Sequence, residues 1–246
     1  MVAMPDFFTT DVLIALAVAA VAGLMRGFAG FGSGMLMAPV FAILFGPVET
    51  VAIIILLEAV VTVQLMPGVW REIDWRFVVP MGMAAALLMP AGSWLLVNTD
   101  AAIVSRVIAG IVVAFVLVLW TGWRYEGAKP LPVTFGVGGL SGVMMAGTSL
   151  GNPPVMLYML SSRDSAARNR ANVTAYFAIT LAALILIMAF KELITIAAIS
   201  RVGVMLPVFM LAAWLGGRAF RRSGEGLYRH ITLAFLFAVG LYGLLR

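Results

Sequence analysis

The sequence predicts an all-α polytopic membrane protein with about eight transmembrane helical units in two inverted halves, each half carrying a Gly-rich broken helix or hairpin. Three observations carry this: an overwhelmingly apolar composition, a glycine-rich run that occurs twice at a fixed offset, and a one-sided distribution of Lys and Arg between apolar segments. Hydrophobic residues make up 63% of the chain and charged ones 11%, against about 45–50% and about 25% in a soluble domain. The gaps between apolar segments are about a dozen residues at most, too short to enclose a core of their own. The whole chain therefore reads as the membrane domain, with the lipid bilayer as its main partner.

Ten apolar segments follow in order, at roughly Asp11–Phe28, Ser33–Phe45, Val48–Met66, Phe77–Val97, Ala102–Trp120, Val133–Ala146, Asn152–Leu160, Arg170–Ala189, Ile194–Leu215 and Leu227–Leu245. Several have the ~20 residues that cross a bilayer. The pieces flanking the two glycine runs are shorter, at about 9 to 18 residues, and read as half-helices that meet inside the membrane. The residues before Asp11 include Asp6 and no Lys or Arg, unlike the basic start of a cleavable signal peptide. The first apolar segment is expected to stay in the mature protein.

The first run is Ala29-Gly30-Phe31-Gly32-Ser33-Gly34, followed by Pro39; the second is Ala146-Gly147-Thr148-Ser149-Leu150-Gly151-Asn152-Pro153-Pro154. Gly30 aligns with Gly147 and Gly34 with Gly151 at a constant offset of 117 residues in a chain of 246. Gly and Pro interrupting matched segments of two halves point to a transporter with its site where the repeats meet. The boundaries are a first repeat over 1–124, a Gly- and Pro-bearing linker over 125–132, and a second repeat over 133–246.

Charge sets the orientation. If each interrupted pair enters and leaves on one side, one face collects Arg71, Arg76, Arg124, Lys129, Arg163, Arg168, Arg170, Arg218, Arg221, Arg222 and Arg229, with Arg26 nearby. The other keeps Arg106, Lys191, Arg201 and Arg246. The rich face is expected to be cytoplasmic, with both termini periplasmic. Treating the interrupted pairs as straight spans would scatter these charges over both faces. Each half then holds five segments, an odd number, so the second enters the membrane from the opposite side. The net charge of +5 is explained by these loops and calls for no nucleic acid.

A helix that begins inside the membrane aims unpaired N–H groups and the positive end of its dipole into the protein, which makes an anion site. The candidate substrate-binding residues are Gly30, Ser33, Gly34, Thr148, Ser149, Gly151 and Asn152, with Asn172 and Thr174 polar in the segment that follows. For single glycines, including those of Gly23-Leu24-Met25-Arg26-Gly27, close helix packing is the competing explanation. Glu58, Gln64 and Arg26 are the candidates for coupling or gating. Glu58 lies mid-segment, where proton coupling and a structural hydrogen bond both fit. Arg26 suits either a fixed charge for an anion or a side chain reaching the cytoplasmic interface, with the interface preferred. Arg168 and Arg170 read first as topological charges, with a basic vestibule as the alternative.

His230 is the one histidine and there is no cysteine, so no metal cluster, thiol chemistry or cofactor site is expected. Trp70, Trp75, Trp94, Trp120 and Trp123 fall at segment ends as an aromatic belt would. The 16 methionines show no ligand spacing and read as adaptable packing.

These motifs resemble the TauE/SafE sulfite-exporter family, whose members carry a glycine-rich motif and a following proline in each of two halves. Gly23, Gly27, Gly30, Gly32, Gly34 and Pro39 fit the first copy, and Gly138, Gly142, Gly147, Gly151 and Pro154 the second, which departs by offering Thr148-Ser149-Leu150 and Asn152-Pro153. The resemblance implies a bacterial inner-membrane secondary transporter of sulfite or of organosulfur anions such as sulfonates or sulfoacetate. From the residues alone the expected function is anion transport by alternating access, one half rocking against the other, with a proton or other ion as coupling partner. A passive anion channel and a membrane-embedded enzyme are the alternatives, the enzyme disfavoured because no nucleophile or metal cluster is visible. Substrate, direction, coupling ion and oligomeric state are not written in the residues.

Overall fold

The computed structural model describes residues 10–30, 32–121, 130–150, 152–159 and 166–220. The linker centre, the last predicted segment, Phe31, Gly151 and His230 lie outside them, as do Arg124, Lys129, Arg163, Arg221, Arg222, Arg229 and Arg246. Among the described residues the fold is all helical: α1 Thr10–Ala29, α2 Ser33–Phe45, α3 Pro47–Leu65, α4 Trp75–Asn98, α5 Ala101–Thr121, α6 Leu131–Thr148, α7 Asn152–Met159, α8 Ala166–Phe190 and α9 Ile196–Phe220. Two short 3₁₀ turns join α3 to α4. Six helices, α1, α3, α4, α6, α8 and α9, are long and apolar enough to cross a membrane. This is a polytopic α-helical membrane protein.

The arms of the two interrupted pairs are unequal, which corrects the expectation of short pieces on both sides of each run. α1 has 20 residues and α6 has 18, lengths that cross a bilayer core, while α2 has 13 and α7 only 8. Small residues at the ends of α1 and α6 continue the helix to Ala29 and Thr148, past the point where the apolar pattern thins. α2 is apolar all round and sits in the core, with Ser33 through Pro39, Phe41 and Ala42 buried.

Glycine fixes how the longest contacts form. Gly23 lies against Phe209 and Ala212, and Gly27 against Ala213 and Gly217, so α1 runs parallel to α9 at backbone contact. Gly138 lies against Met81, Gly142 against Ala85 and Gly147 against Gly92, so α6 runs parallel to α4. These pairs are the most extensive helix contacts among the described residues, and packing is the role of these glycines.

Asn172 near the start of α8 accepts a hydrogen bond from the Asp74 amide at the start of α4, 2.8 Å away. At the other end, Lys191 beyond α8 donates to Ser93 late in α4 at 3.0 Å. Hence α4 and α8 are parallel, α9 returns against them, and α1 and α6 run in opposite directions. One end of the bundle therefore holds Arg71, Arg76 and Arg168, and the other holds Glu49, Lys191 and Arg201, with Arg201 ion-paired to Glu49. Trp70, Trp75 and Trp94 are exposed at helix ends; the side chains of Trp120 and Trp123 lie outside the described residues.

A candidate anion site where the two helix breaks meet

Gly30 and Gly32 break the first pair by taking φ of 79° and 94°, a left-handed backbone that costs glycine nothing. The second break uses Ser149, with φ 58°, as the residue after α6. A serine there is strained, and its hydroxyl donates to the Thr148 carbonyl at 2.6 Å. Thr148 in turn donates to Met144 and accepts from the Leu150 amide at 3.2 Å. Replacing Ser149 by Gly should leave the melting temperature in detergent close to wild type, within about 1 kcal/mol. Replacing it by Val, branched at Cβ, should cost about 1–3 kcal/mol.

The two breaks face one another. A Cβ placed on Gly34 would stand 3.4 Å from the Ser149 carbonyl oxygen and 3.8 Å from Ile54 of α3, so the start of α2 abuts the end of α6. Ser33, Gly34, Thr148 and Ser149 are thus brought together in the buried interior. Their capacities differ. α2 opens with three residues that all carry N–H groups, whereas α7 opens with Asn152 followed by Pro153 and Pro154, which have none. The sequence predicts an anion held between two half-helix N-termini; the prolines make α2 the stronger amide source of the two. The side chain of Asn152 lies outside the described residues.

Beside the first break is a buried ion pair. Arg26, fully buried, places Nε 2.8 Å from Glu58 Oε2, donates from Nη2 to Thr62 Oγ1 at 3.0 Å and from Nη1 to the Gly30 carbonyl. Nε and Oε2 meet as an ion pair and neither makes a hydrogen bond. Ser33 donates its hydroxyl to Glu58 Oε1, and the guanidinium lies 4.5 Å from the Phe177 ring centroid. The preferred reading of Arg26 as an interfacial side chain is corrected: it is an interior charge, because Glu58 one helix away neutralises it. Both alternatives for Glu58 began from an isolated carboxylate, and the structure gives it a cationic partner.

Arg170 of α8 reaches the same break, donating to the Gly27 carbonyl at 3.1 Å with its stem against Gly30. α1 ends inside the protein with unpaired carbonyls, and Arg26 and Arg170 supply both the donors and the positive charge its dipole favours. Arg170 is therefore more than a topological charge; Arg168 is exposed. Asn172 is engaged with Asp74, and Thr174 donates to its own helix at the Arg170 carbonyl, 2.9 Å away. Gln64 is exposed on α3, off the face that carries Glu58.

Shifted by the 117-residue offset, Arg26 and Glu58 fall on Val143 and Ala175. Next to those positions Tyr176 donates to Ser141 at 2.7 Å. The first half thus joins its helices through charges where the second uses a neutral hydrogen bond. Nothing in the sequence marks the Tyr176–Ser141 bond or the reach of Arg170; opposite charges inside the first and third apolar segments were the available signal for the Arg26–Glu58 pair. A cavity of about 520 Å³ lies between α3 and α8 and is lined by apolar side chains such as Val63, Leu181 and Ile185, with Thr62, the acceptor for Arg26, at its edge. Its apolar wall does not suit a small anion, so the polar convergence at the breaks is the better candidate site.

Among the described residues no cluster of His, Cys, Asp and Glu could hold a metal. The chain matches the family profile described as Sulfite exporter TauE/SafE over residues 15–243. It is 24% identical over 223 residues to the probable sulfite/organosulfonate exporter TauE of Cupriavidus necator, spanning 86% of this chain and 85% of that protein. No solved structure matches it. The duplicated breaks, the helical membrane fold and a profile match across nearly the whole chain agree: the protein belongs to the TauE/SafE sulfite-exporter family.

Proposed function

We propose that the chain is a secondary transporter of small anions, of the class sulfite and organosulfur anions such as sulfonates or sulfoacetate, working by alternating access. The apposition of the α2 start with Ser149 carries this reading, because it brings a helix N-terminus, hydroxyl groups and the cationic side chains Arg26 and Arg170 to one buried place. The opposed directions of α1 and α6, and the matching of α1 with α9 to α6 with α4, support two inverted repeats around that site. The clustering of Arg71, Arg76 and Arg168 at one end supports a cytoplasmic assignment for it. On this reading the protein sits in a bacterial inner membrane with both termini outside.

The name of the Cupriavidus necator relative supports the sulfur chemistry. The test uses the purified protein. A thermal-stability panel of sulfite, sulfate, thiosulfate, short alkyl sulfonates, sulfoacetate and matched carboxylates should show a selective shift with a sulfur oxyanion, since a ligand of the folded state raises apparent stability. In proteoliposomes the same anion should show saturable counterflow, which a passive channel cannot produce. Stabilisation by carboxylates alone would discard the sulfur assignment, and no shift with any anion would discard the anion site.

A further inference from the structure

We infer that the Glu58 carboxylate is a resident surrogate for the transported anion: it occupies Arg26 and Ser33 in the anion's absence, and the substrate displaces it by exchange for a proton. This rests on the proposed anion-transport reading and adds a stoichiometry to it. Glu58 receives a hydroxyl donor from Ser33, the first residue of α2, and lies against Arg26 Nε. Those are the donors that the first break offers an oxyanion. An incoming anion therefore competes with Glu58 for the same groups.

Charge balance sets how the exchange proceeds. Arg26 and Glu58 are buried and together neutral, and an anion docking on Arg26 beside an ionised Glu58 would set two negative charges against one guanidinium, with Arg170 held at the Gly27 carbonyl, which is costly in a low-dielectric interior. If one proton adds to a Glu58 carboxylate oxygen as the anion docks, Arg26 is neutralised by the anion and Glu58 becomes a neutral acid. No bond breaks besides the release of that proton by solvent.

The other ionisable groups on the packed elements are committed elsewhere or distant. α2 and α6 carry none. On α8, Arg170 donates to the Gly27 carbonyl, Tyr176 donates to Ser141, and Arg168 is exposed. On α9, Arg201 pairs with Glu49 of α3 and Arg218 lies 3.7 Å over the Trp214 ring. Arg76 stands at the start of α4, Arg106 near the start of α5, and Tyr158 of α7 bonds Thr134. Glu58 is thus the carboxylate placed to exchange with an anion at Arg26.

The test is calorimetric titration of the full chain with methanesulfonate, whose charge does not change near neutral pH, in buffers of different ionisation enthalpy and over a range of pH. The expected result is uptake of about one proton per anion bound, with affinity falling about tenfold for each pH unit rise over the range where that uptake holds. Glu58→Gln should bind the anion without proton uptake and without that slope. Binding to wild type with no proton uptake would overturn the exchange and leave the anion transporter standing. Persistence of the slope in Glu58→Gln would overturn it equally. Absence of binding at every pH would bring down both readings. Should Glu58→Gln fail to fold, the proton count on wild type decides alone.

Discussion

Replacing Arg26 by Met is expected to destabilise the protein by about 3–5 kcal/mol, because the 2% exposed carboxylate of Glu58 would be left buried without its cation. Glu58→Leu alone should cost a similar amount by stranding the guanidinium. The informative variant is the double one. With both charges replaced by apolar side chains the desolvation penalty disappears, and the R26M/E58L protein should recover most of the lost stability. A deficit of about 1–3 kcal/mol is expected to remain from the Gly30 carbonyl and Thr62, which lose the donors of Arg26. On the proposed reading anion-dependent stabilisation should nonetheless be gone, since the cation assigned to the substrate is absent. Melting temperatures in detergent with and without sulfite read both effects. A double variant as unstable as R26M would show that the pair is not what holds this region together.

Gly27→Val should also destabilise, less strongly and by another route. A Cβ on Gly27 would stand 1.8 Å from the Ala213 carbonyl oxygen and 2.8 Å from the Gly217 amide nitrogen, all backbone atoms that cannot turn aside. α1 and α9 would have to separate, and in lipid their association rests on that close contact. Overpacking of this kind costs about 1–3 kcal/mol. It would also displace Arg26 and the first break, so transport should fall with stability. Gly136→Ala is the control: nothing lies within 4 Å of the position, and the variant should match or exceed wild type by up to about 1 kcal/mol through helix propensity. Equal losses in the two variants would refute the packing role of Gly27.

Helix existence was legible because nine of the predicted segments are apolar runs, long or short, bounded by charged, Gly or Pro residues; α2 begins and ends where the pattern does, at Ser33 and Phe45. The extents of α1 and α6 were not, since small residues close to a break read as loop in a hydropathy pattern although they continue a helix that packs on its neighbour. At the site, the breaks at Gly30, Gly32 and Ser149 were visible as punctuation, and the missing donors of Pro153 and Pro154 were readable but overlooked. Partnership was a different matter. Arg26 and Glu58 are 32 positions apart, and only the fold that brings α1 to α3 makes them one charge-neutral unit. Asn172 likewise looked like a ligand until the structure put Asp74 against it.

The parallel glycine seams carry a consequence for motion. α1, from the predicted first repeat, is clasped backbone to backbone with α9 from the predicted second, and α6 from the second with α4 from the first. Bodies joined so closely slide or tilt together. If transport on the proposed reading parts Gly34 from Ser149, the dividing line would not be the boundary between the two predicted repeats: each moving piece would be a composite of both, the repeat an architectural unit and the moving unit a hybrid.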